Sequence, residues 1–393
     1  MKILFYRYGS ICEVDVLDCF VKSGHEVIEI DDEIYNKGIS PAQRVDKISK
    51  SLNDSPADCV FTINFYPSIS DVCNIYHIRY ISWIVDCPVL ELFSKSISNE
   101  WNRVFVFDRA QYEDIYKYNP NGIFHYPLAV NVDGKQAAIK RATVGDINRF
   151  THDISFVGSL YTEKCPFDDL KGESEYLRGF LEGIIQAQLK VYGYYFIGDL
   201  LSDEIVKEFA MHVENFLRFP TESYLTDRET VSQHYIGNKI SAMERDLLLK
   251  MILNTFKVDI YTGSDTKQYS SNLINHGFAK TLTEMPVIFN RSKINLNPTS
   301  KAIRTGVPLR VFDIMACEGF VLSNYQQELC ELFTPGEDFV CYESIEQVPE
   351  LIDYYLNHEK ERKEIAHNAF EKVKDNYDYM FRLNKLLLIA FEK

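Results

Sequence analysis

Residues 294–320, INLNPTSKAIRTGVPLRVFDIMACEGF, pass from a short apolar run through a polar loop directly into a helix. Residues 294–296 are predicted to form a buried strand, and residues 299–305 bring hydroxyls and two cations. Pro308 begins the predicted helix, and Gly319 follows its end, where a left-handed residue is often needed. A strand, a loop and a punctuated helix in this order indicate one βαβ unit of a parallel sheet.

The start of this helix is a candidate anion site. Free backbone N–H groups at a helix N-terminus attract phosphate, and Gly306 has no Cβ to keep a ligand away from the backbone. Arg310 and Asp313 lie three residues apart on one helix face. The guanidinium could hold a diphosphate, and the carboxylate could accept from ribose hydroxyls. The alternative is an ordinary crossover in which Arg310 and Asp313 pair at the surface.

Length and charge restrict the classes of partner. A chain of 393 residues indicates two domains, and a net charge of −15 argues against nucleic acid or an anionic membrane as the main partner. Any anion would have to be bound locally. The densest basic group around a predicted loop consists of Lys293, Lys301, Arg304 and Arg310.

Targeting and metal signals are absent from the sequence. The N-terminal run has no signal-peptide pattern, and no stretch approaches 18 apolar residues, so we expect a cytoplasmic protein without an integral membrane segment. The nine cysteines include no C-x-x-C pair, and the nine histidines include no H-E-x-x-H pattern. No disulfide framework and no metal site is therefore predicted. The oligomeric state cannot be read from the sequence.

The order of apolar runs predicts an α/β protein with two Rossmann-like domains. Six short apolar runs alternate with amphipathic stretches before residue 127, and a second alternation begins at residue 153. The predicted divisions are an N-terminal acceptor-side domain (1–135), a linker (136–152), a C-terminal nucleotide-sugar-binding domain (153–376) with a helical insertion (167–256), and a C-terminal helix (377–393) returning to the first domain. Ligands of such sheets bind at the carboxyl ends of the strands.

Several stretches carry a specific resemblance. GVPLRVFDIMACEGF at 306–320, with SKINLNP before it at 292–298 and ELFTPGEDFVCYES after it at 331–344, resembles the donor-binding half of GT-B glycosyltransferases, closest to the spore-maturation CgeB type. SWIVDCP at 82–88, VFVFDRAQYEDIYK at 104–117 and HYPLAVN at 125–131 resemble the N-terminal domain of the same proteins.

The resemblance implies GT-B architecture, with two Rossmann-like domains facing a cleft. It also implies transfer of a hexose-type sugar from a nucleoside diphosphate sugar to a hydroxyl of a protein or glycan acceptor, without a cofactor or catalytic metal. UDP-sugar is the expected donor on family frequency. A second hypothesis is a nucleotide-sugar or glycan binding protein that kept the fold and lost turnover.

Individual roles follow from the same resemblance. Asp313 falls on the second acid of the Glu-x7-Glu pattern of retaining GT-B enzymes, which binds the donor ribose, whereas the first acid is replaced by Thr305. Arg310 matches an Arg of CgeB-like sequences and is expected to neutralise the departing diphosphate. The missing first acid is the reason for the second hypothesis.

The other expected donor contacts come from loops that follow strands. Gly158 and Ser159 end the first strand of the second domain, where a tight turn is the equal alternative. Gly263 and the Asn275-His276-Gly277 turn could flank the base, although a lone His is more often structural. The predicted donor-binding residues are Tyr8, Gly9, Gly158, Ser159, Gly263, His276, Gly277, Asn297, Arg304, Gly306, Val307, Pro308, Leu309, Arg310 and Asp313.

Asp86 is the best candidate for a catalytic base. It follows the apolar run YISWIV at a strand's carboxyl end, where partial desolvation could make it a base, and Trp83 could shape an acceptor pocket. The alternative for Asp86 is an N-cap of the helix that Pro88 would begin. Asp108 and Arg109, at the next strand's end, are weaker candidates.

Two other enzyme classes are disfavoured. Neither presumed first βα turn carries G-x-G-x-x-G, which argues against a nicotinamide-dependent enzyme. No D-x-D pair is present to hold a divalent ion against a diphosphate, which argues against the metal-dependent glycosyltransferase fold.

Overall fold

A computed structural model describes residues 1–219 and 222–392 and forms two compact units. Unit 1 consists of Met1–Asn131, Phe219–Leu225 and Asn376–Lys393, and unit 2 consists of Val132–Arg218 and Thr226–Asp375. Pro220 and Thr221, inside the predicted insertion, and Lys393, the last residue of the predicted C-terminal helix, lie outside the described residues.

Unit 1 is built on a parallel six-stranded sheet. Its strands, in the spatial order β2-β1-β3-β4-β5-β6, are β1 (Lys2–Tyr6), β2 (Glu26–Ile30), β3 (Cys59–Ile63), β4 (Arg79–Ile84), β5 (Asn102–Val106) and β6 (Ile123–His125). Its helices include α1 (Glu13–Lys22), α2 (Asp32–Tyr35), α3 (Pro41–Asp54), α4 (Pro67–Tyr76) and α5 (Arg109–Tyr116). The inner strands β3 and β4 are buried on both faces and are mainly apolar, as is typical of a parallel sheet covered by helices on both sides.

Side-chain caps place two of these helices. Ser40 and Gln43 form a reciprocal capping box at the start of α3. The carboxylate of Asp108 accepts from the backbone N–H of Gln111 at 2.7 Å at the start of α5. Asp108 is therefore an N-cap and is not presented to an acceptor, because its carboxylate is buried in this cap.

The C-terminal helix, Tyr379–Phe391, is part of unit 1. The ring of Tyr379 packs edge-on against Trp83, with centroids 5.6 Å apart, and the hydroxyl of Tyr126 donates to the carbonyl of Arg382 at 2.7 Å. Trp83 is 1% exposed. It therefore belongs to the core of unit 1, and the predicted contribution to an acceptor pocket is wrong.

Residues 222–225, within the predicted helical insertion, also pack in unit 1. The backbone N–H of Tyr224 donates to the carbonyl of Phe93 at 2.7 Å, and its ring stacks on Tyr118 with centroids 3.8 Å apart. The backbone N–H of Lys95 donates to the carbonyl of Glu222 at 3.1 Å. The insertion therefore supplies a short extended segment to the first unit.

Unit 2 contains the second parallel six-stranded sheet, in the order β12-β11-β10-β7-β8-β9. The strands are β7 (His152–Val157), β8 (Val258–Tyr261), β9 (Leu273–Asn275), β10 (Ser292–Asn297), β11 (Val321–Asn324) and β12 (Val340–Tyr342). β9 and the helix before β10 were not predicted, because each is short and carries little apolar periodicity. The two parallel sheets confirm the predicted α/β class with two Rossmann-like units.

The helices of unit 2 fall into a framework set and an inserted set. The framework includes α6 (Val132–Arg141), α7 (Val144–Phe150), α12 (Gly237–Leu253), α13 (Met285–Arg291), α14 (Leu309–Ala316), α15 (Gln327–Leu332), α16 (Val348–Asn357) and α17 (Glu359–Asn376). The inserted set includes α8 (Glu175–Leu189), α9 (Ile197–Leu200), α10 (Asp203–His212) and α11 (Asp227–Glu229), followed by a π-helical stretch, Thr230–Ile236. A separate apolar core joins the inserted set to α12, and its residues include Leu177, Leu181, Phe209 and Val231 of the inserted set and Ile240 of α12.

The predicted linker at 136–152 differs from the structure. Most of it forms α6 and α7, and unit 2 begins at Val132. The ammonium of Lys135 lies 2.9 Å from the carboxylate of Asp313, and the amide of Gln136 donates to the carbonyl of Ala316 at 2.8 Å. The linker was predicted because apolar periodicity is lost in this stretch. The contacts that anchor it to α14 are made by single polar side chains, which leave no such periodicity.

The end of α14 also differs from the prediction at Gly319. Glu318 adopts the left-handed conformation with φ 55°, while the N–H of Gly319 bonds to the carbonyl of Ile314. A Cβ on Gly319 would lie 2.7 Å from the carbonyl oxygen of Phe289. Glycine is required there by close packing and not by a left-handed backbone.

Within residues 1–219 and 222–392, no helix combines the length and the apolar character needed to cross a membrane.

Candidate functional site

The strand order of unit 2 creates a switch point between β7 and β10. The chain runs outward from β7 through β8 to β9 and then returns through β10 to β12 on the other side. The loops that follow β7 and β10 therefore diverge, which is where ligands of open parallel sheets bind. Gly158 and Ser159 follow β7, and Pro298 follows β10.

Arg245 of α12 connects these two loops. Its guanidinium donates through Nη1 to the carbonyl of Ser159 and through Nη2 to the carbonyl of Pro298, the latter at 2.9 Å. It also lies 4.3 Å above the ring centroid of Tyr161. Burial lowers the pKa of Arg245 from its ordinary value, and Tyr161 and Glu244 oppose that shift. A cation is thus fixed at the switch point, although Arg245 was not among the predicted site residues.

Lys301, in the loop after β10, is used within the protein. Its ammonium lies 3.5 Å from the carboxylate of Glu244, donates to the carbonyl of Val191 at 3.3 Å and sits 3.3 Å from the ring centroid of Tyr192. Desolvation lowers the pKa of Lys301, and the charge of Glu244 opposes this. Lys301 therefore balances a buried acid and is not presented to a phosphate.

The hydroxyls of the same loop are also internal. Asn297 donates to the hydroxyls of Thr299 and Ser323, at 3.0 Å in each case. Asn324 accepts from the backbone N–H of Thr299 at 2.8 Å and donates back to its carbonyl at 2.9 Å. The hydroxyl of Ser300 lies 2.8 Å from that of Ser241. The polar loop was predicted to offer hydroxyls to an anion, but these side chains are buried and hold the loop against β11 and α12.

The position of the missing first acid lies beside another carboxylate. The hydroxyl of Thr305 donates to Glu328 of α15 at 2.7 Å, and the N–H of Glu328 donates to the carbonyl of Thr305 at 3.0 Å. Glu328 is 2% exposed. Gly306 and Val307 are buried as well, whereas Arg304 and Pro308 are partly exposed.

Arg310 and Asp313 form a charged cluster with Lys135. The Asp313 carboxylate lies 2.9 Å from the Lys135 ammonium and 3.6 Å from Nη1 of Arg310. The side chains of Lys135 and Asp313 are 6% and 5% exposed, and that of Arg310 is 25% exposed. Burial lowers the pKa of Arg310, Asp313 opposes the shift, and the nearby charge of Arg245 adds to it. The predicted ribose contact of Asp313 stays a prediction; its carboxylate is engaged by Lys135.

The predicted base-flanking residues lie after β8 and β9. His276 donates through Nε2 to the carboxylate of Asp259 at 2.7 Å and stacks on Tyr261, so it is held by protein partners. Gly277 has a φ of 75°, which a turn with glycine tolerates. Gly263 lies under the ring of Phe278, which is 86% exposed. An exposed ring at this position was not predicted.

Lys293 does not belong to the basic group. It is the second residue of β10, at the amino end of the sheet, and its ammonium lies 2.7 Å from the carboxylate of Asp153. The site is at the carboxyl end. Sequence proximity grouped Lys293 with Arg304 and Arg310 because a strand of six residues separates the two ends.

In unit 1, Tyr8 and Gly9 follow β1 and are held by a buried acid. The carboxylate of Glu13, the first residue of α1, accepts from the backbone N–H groups of both residues at 2.9 Å. Gly9 has a φ of 93°, so it relieves a turn. Burial, followed by the charge of Asp86, raises the pKa of Tyr8, which keeps its hydroxyl protonated.

Asn64, after β3, brings Tyr8 and Asp86 together. Its amide nitrogen donates to the Asp86 carboxylate at 2.7 Å and to the Tyr8 hydroxyl at 3.0 Å, while its oxygen accepts from the N–H of Val85 at 3.0 Å. Asn64 has a φ of 58°, which Asn tolerates better than most residues. These residues follow β1, β3 and β4, and the order of unit 1 reverses between β1 and β3.

Two expectations about Asp86 are wrong. Asp86 is exposed and not partly desolvated. It is also not an N-cap, because the next helical turn begins at Leu90 with Val89 as its N-cap. The carboxylate is fixed by Asn64, a residue that the sequence did not single out.

Comparison with known proteins identifies the fold. Residues 245–388 match the protein-family model described as glycosyl transferase-like. Anabaena Alr3699/HepE in complex with UDP and glucose superposes with a TM-score of 0.53 at 12% identity, covering 99% of this chain and 98% of that chain. The chain has the GT-B fold.

Two further GT-B neighbours align over a similar length. Sucrose-phosphate synthase from Thermosynechococcus elongatus has a TM-score of 0.56 at 10% identity and covers 100% of this chain and 99% of that chain. A UDP-forming α,α-trehalose-phosphate synthase from Burkholderia xenovorans has a TM-score of 0.55 at 11% identity, with 99% and 98% covered. No protein of curated function matches the chain by sequence. The predicted GT-B fold is confirmed, and the CgeB-like subtype stays a prediction.

Proposed function

We propose that this chain is a glycosyltransferase that moves a hexose-type sugar from a UDP-sugar to a hydroxyl of a protein or glycan acceptor. The glycosyl transferase-like match covers the stretch from Arg245 through α14. Two structural neighbours support the choice of nucleotide, since one is a complex with UDP and glucose and another is named as UDP-forming.

The observation that carries the proposal is Arg245 at the switch point of unit 2. A guanidinium presents five N–H donors in a planar fork, so it can bridge two carbonyls and still face an anion. Arg310, whose pKa is lowered in part by the charge of Arg245, supplies a second cation nearby. We propose that these two residues neutralise the diphosphate, with the first turn of α14 beside Pro308 adding backbone N–H groups.

The proposed transfer needs one proton acceptor and one stabilised leaving group. The acceptor oxygen forms a bond to the anomeric carbon of the sugar, and the bond from that carbon to the diphosphate oxygen breaks. UDP leaves with its added negative charge next to Arg245 and Arg310. We assign the hydroxyl proton to Asp86, whose carboxylate Asn64 orients.

UDP binding tests the donor half without knowledge of the acceptor. Arg245→Ala should weaken UDP binding by about 10- to 150-fold, because a hydrogen bond to a charged group contributes roughly 1.5–3 kcal/mol. Lys293→Ala is the matched control, since it removes a cation from the opposite end of the sheet. Isothermal titration calorimetry provides the measurement. Equal UDP affinity in the two variants, or no UDP binding by the wild type, would contradict this donor site.

The second candidate is a nucleotide-sugar binding protein without turnover. It is favoured by Thr305, which replaces the first acid and is bonded to the buried Glu328. Release of UDP from UDP-glucose and other UDP-sugars, followed over time with wild type and Asp86→Asn, separates the candidates. A transferase should show slow donor hydrolysis, whereas a binding protein should bind UDP-sugar and leave it intact.

A further inference from the structure

The described part of the chain contains one group of three metal-ligating side chains outside the proposed donor and acceptor residues of the two switch points. It consists of His152, Asp259 and His276, whose ligand atoms all lie within 4.8 Å of one another. His152 begins β7, Asp259 is the second residue of β8, and His276 follows β9. Three adjacent parallel strands therefore contribute one ligand each.

The ligand atoms lie close enough together for one cation to bind all three side chains. Nδ1 of His152 lies 3.2 Å from one oxygen of Asp259, and Nε2 of His276 lies 2.7 Å from the other. Neighbouring ligand atoms of a tetrahedral zinc ion lie about 3.3–3.6 Å apart, since each bond is about 2.0–2.2 Å long. The His152–Asp259 separation is close to that value, whereas the His276–Asp259 separation is that of a hydrogen bond and must widen by roughly 0.6–0.9 Å when the ion replaces the proton. The two imidazole rings lie 5.4 Å apart, centroid to centroid, on either side of the carboxylate.

The outer contacts match those of a metal-bound histidine. Nε2 of His152 lies 2.8 Å from the hydroxyl of Tyr261, so Nδ1 is the nitrogen that faces Asp259. Such a partner fixes the tautomer and the ring orientation of a ligand histidine. Tyr261 also stacks on His276, with centroids 4.8 Å apart and an interplanar angle of 21°. One tyrosine thus orients both imidazoles.

Charge and access also favour a cation. Asp259 supplies the negative charge, and the other charged side chains that act on Tyr261 are Arg149 and Glu284, which lie 3.9 Å from each other. The side chains of His152, Asp259 and His276 are 6%, 17% and 26% exposed. The group is therefore preorganised by burial on the His152 side and open to a water molecule on the His276 side.

We propose that His152, Asp259 and His276 form a zinc-binding site, with water as the fourth ligand. Two imidazoles and one carboxylate are ligands that Zn²⁺ accepts in tetrahedral geometry. The ion joins β7, β8 and the end of β9, which is the short outer strand of the sheet. The proposal does not depend on the proposed sugar transfer, because that mechanism assigns none of the three residues to the diphosphate or to the acceptor proton. His276 was expected beside the donor base, but its ring is held by Asp259 and Tyr261.

The test uses the full chain after treatment with a chelator and removal of that chelator. Titration with ZnCl₂ against a chromophoric competitor should show one saturable equivalent per chain, and the same equivalent of Co²⁺ should give the visible spectrum of a tetrahedral nitrogen and oxygen site. Asp259→Asn and His276→Gln should abolish that equivalent. Tyr261→Phe should retain it with about 10- to 100-fold lower affinity.

His367→Gln is the control variant, because His367 forms an exposed pair with Glu318 at 3.0 Å. It should bind zinc as the wild type does. Far-UV circular dichroism checks that each variant is folded, and Tyr261→Phe keeps the test decisive if a ligand variant fails to fold. Absence of a saturable equivalent in the wild type overturns the proposal. An equivalent that survives in Asp259→Asn and His276→Gln, or a cobalt spectrum with thiolate charge-transfer bands, also overturns it.

Discussion

Lys135→Met isolates the buried pair with Asp313. The substitution removes the ammonium but keeps an unbranched side chain of similar length, so little cavity is created. The carboxylate of Asp313 is then left at 5% exposure with Arg310 at 3.6 Å as a second cation. Removing one partner of a buried ion pair costs about 3–5 kcal/mol. Since Arg310 remains, we expect the free energy of unfolding of unit 2 to decrease by about 3 kcal/mol, near the lower end of that range.

The assay must report on unit 2 separately. Both tryptophans, Trp83 and Trp101, lie in unit 1, so their fluorescence follows the other unit. Hydrogen exchange measured by mass spectrometry on peptides from β10 and α14 gives the opening free energy where the pair is located. Adding Asp313→Asn to Lys135→Met should restore part of the loss, because the buried charge is removed.

The matched control is Lys293→Met. Its ammonium lies 2.7 Å from Asp153, but the two side chains are 47% and 64% exposed. An exposed pair contributes about 0–1 kcal/mol, so exchange in the same peptides should change little. If Lys135→Met is no more destabilising than Lys293→Met, the burial argument for this pair is refuted.

Three further predictions concern packing, conformation and pH. Gly319→Ala should destabilise unit 2 by about 1–3 kcal/mol in urea unfolding, since its Cβ would lie 2.7 Å from the carbonyl oxygen of Phe289, whereas Gly179→Ala, with no neighbour within 4 Å, should not. Asn64→Ala should lower donor turnover, and it should also lower the free energy of unfolding by about 1–3 kcal/mol because the N–H of Val85 loses its acceptor. Asn64→Gly should retain the left-handed backbone conformation and should therefore be the more stable of the two variants. Equal stability of the two would count against the argument. Burial lowers the pKa of His234, so as pH falls the unfolded state binds the proton before the folded state does, and the free energy of unfolding should decrease below about pH 6.5. Chemical denaturation at pH 7.5 and 5.5 measures this difference, which His234→Leu should reduce. An unchanged pH dependence in His234→Leu would exclude His234 as the cause.

The sheets were predictable because their signal is local. Runs such as CVFTI at Cys59–Ile63 are apolar except for Thr62 and are buried at every position, as is typical of strands covered on both faces. The carboxyl ends of those runs then locate, in each sheet separately, the edge after which the loops begin: Tyr8 and Asp86 lie there in unit 1, and Gly158 lies there in unit 2. β9 was missed because three residues, of which two are exposed, leave no pattern.

The side-chain roles were less predictable because their partners are distant in sequence. The cations and hydroxyls of residues 299–305 look available in the sequence. In the fold, the ammonium of Lys301 pairs with Glu244, and the hydroxyl of Thr299 accepts from the amide of Asn297. Arg245 lies in an amphipathic helix with no motif around it, so only the strand order gives it significance. Asn64 could have been noticed as an Asn directly after a strand, where a left-handed residue is often required.

The composition of unit 1 from three separate stretches affects the order of events during translation. Residues 376–392, which cover Trp83 with Tyr379, leave the ribosome after every strand of unit 2 has been made. The apolar surface of residues 1–131 around Trp83 therefore stays uncovered during synthesis, at a stage when every strand of unit 2 is available for folding. Chaperone contacts during synthesis should concentrate on residues 1–131 of unit 1 and not on unit 2.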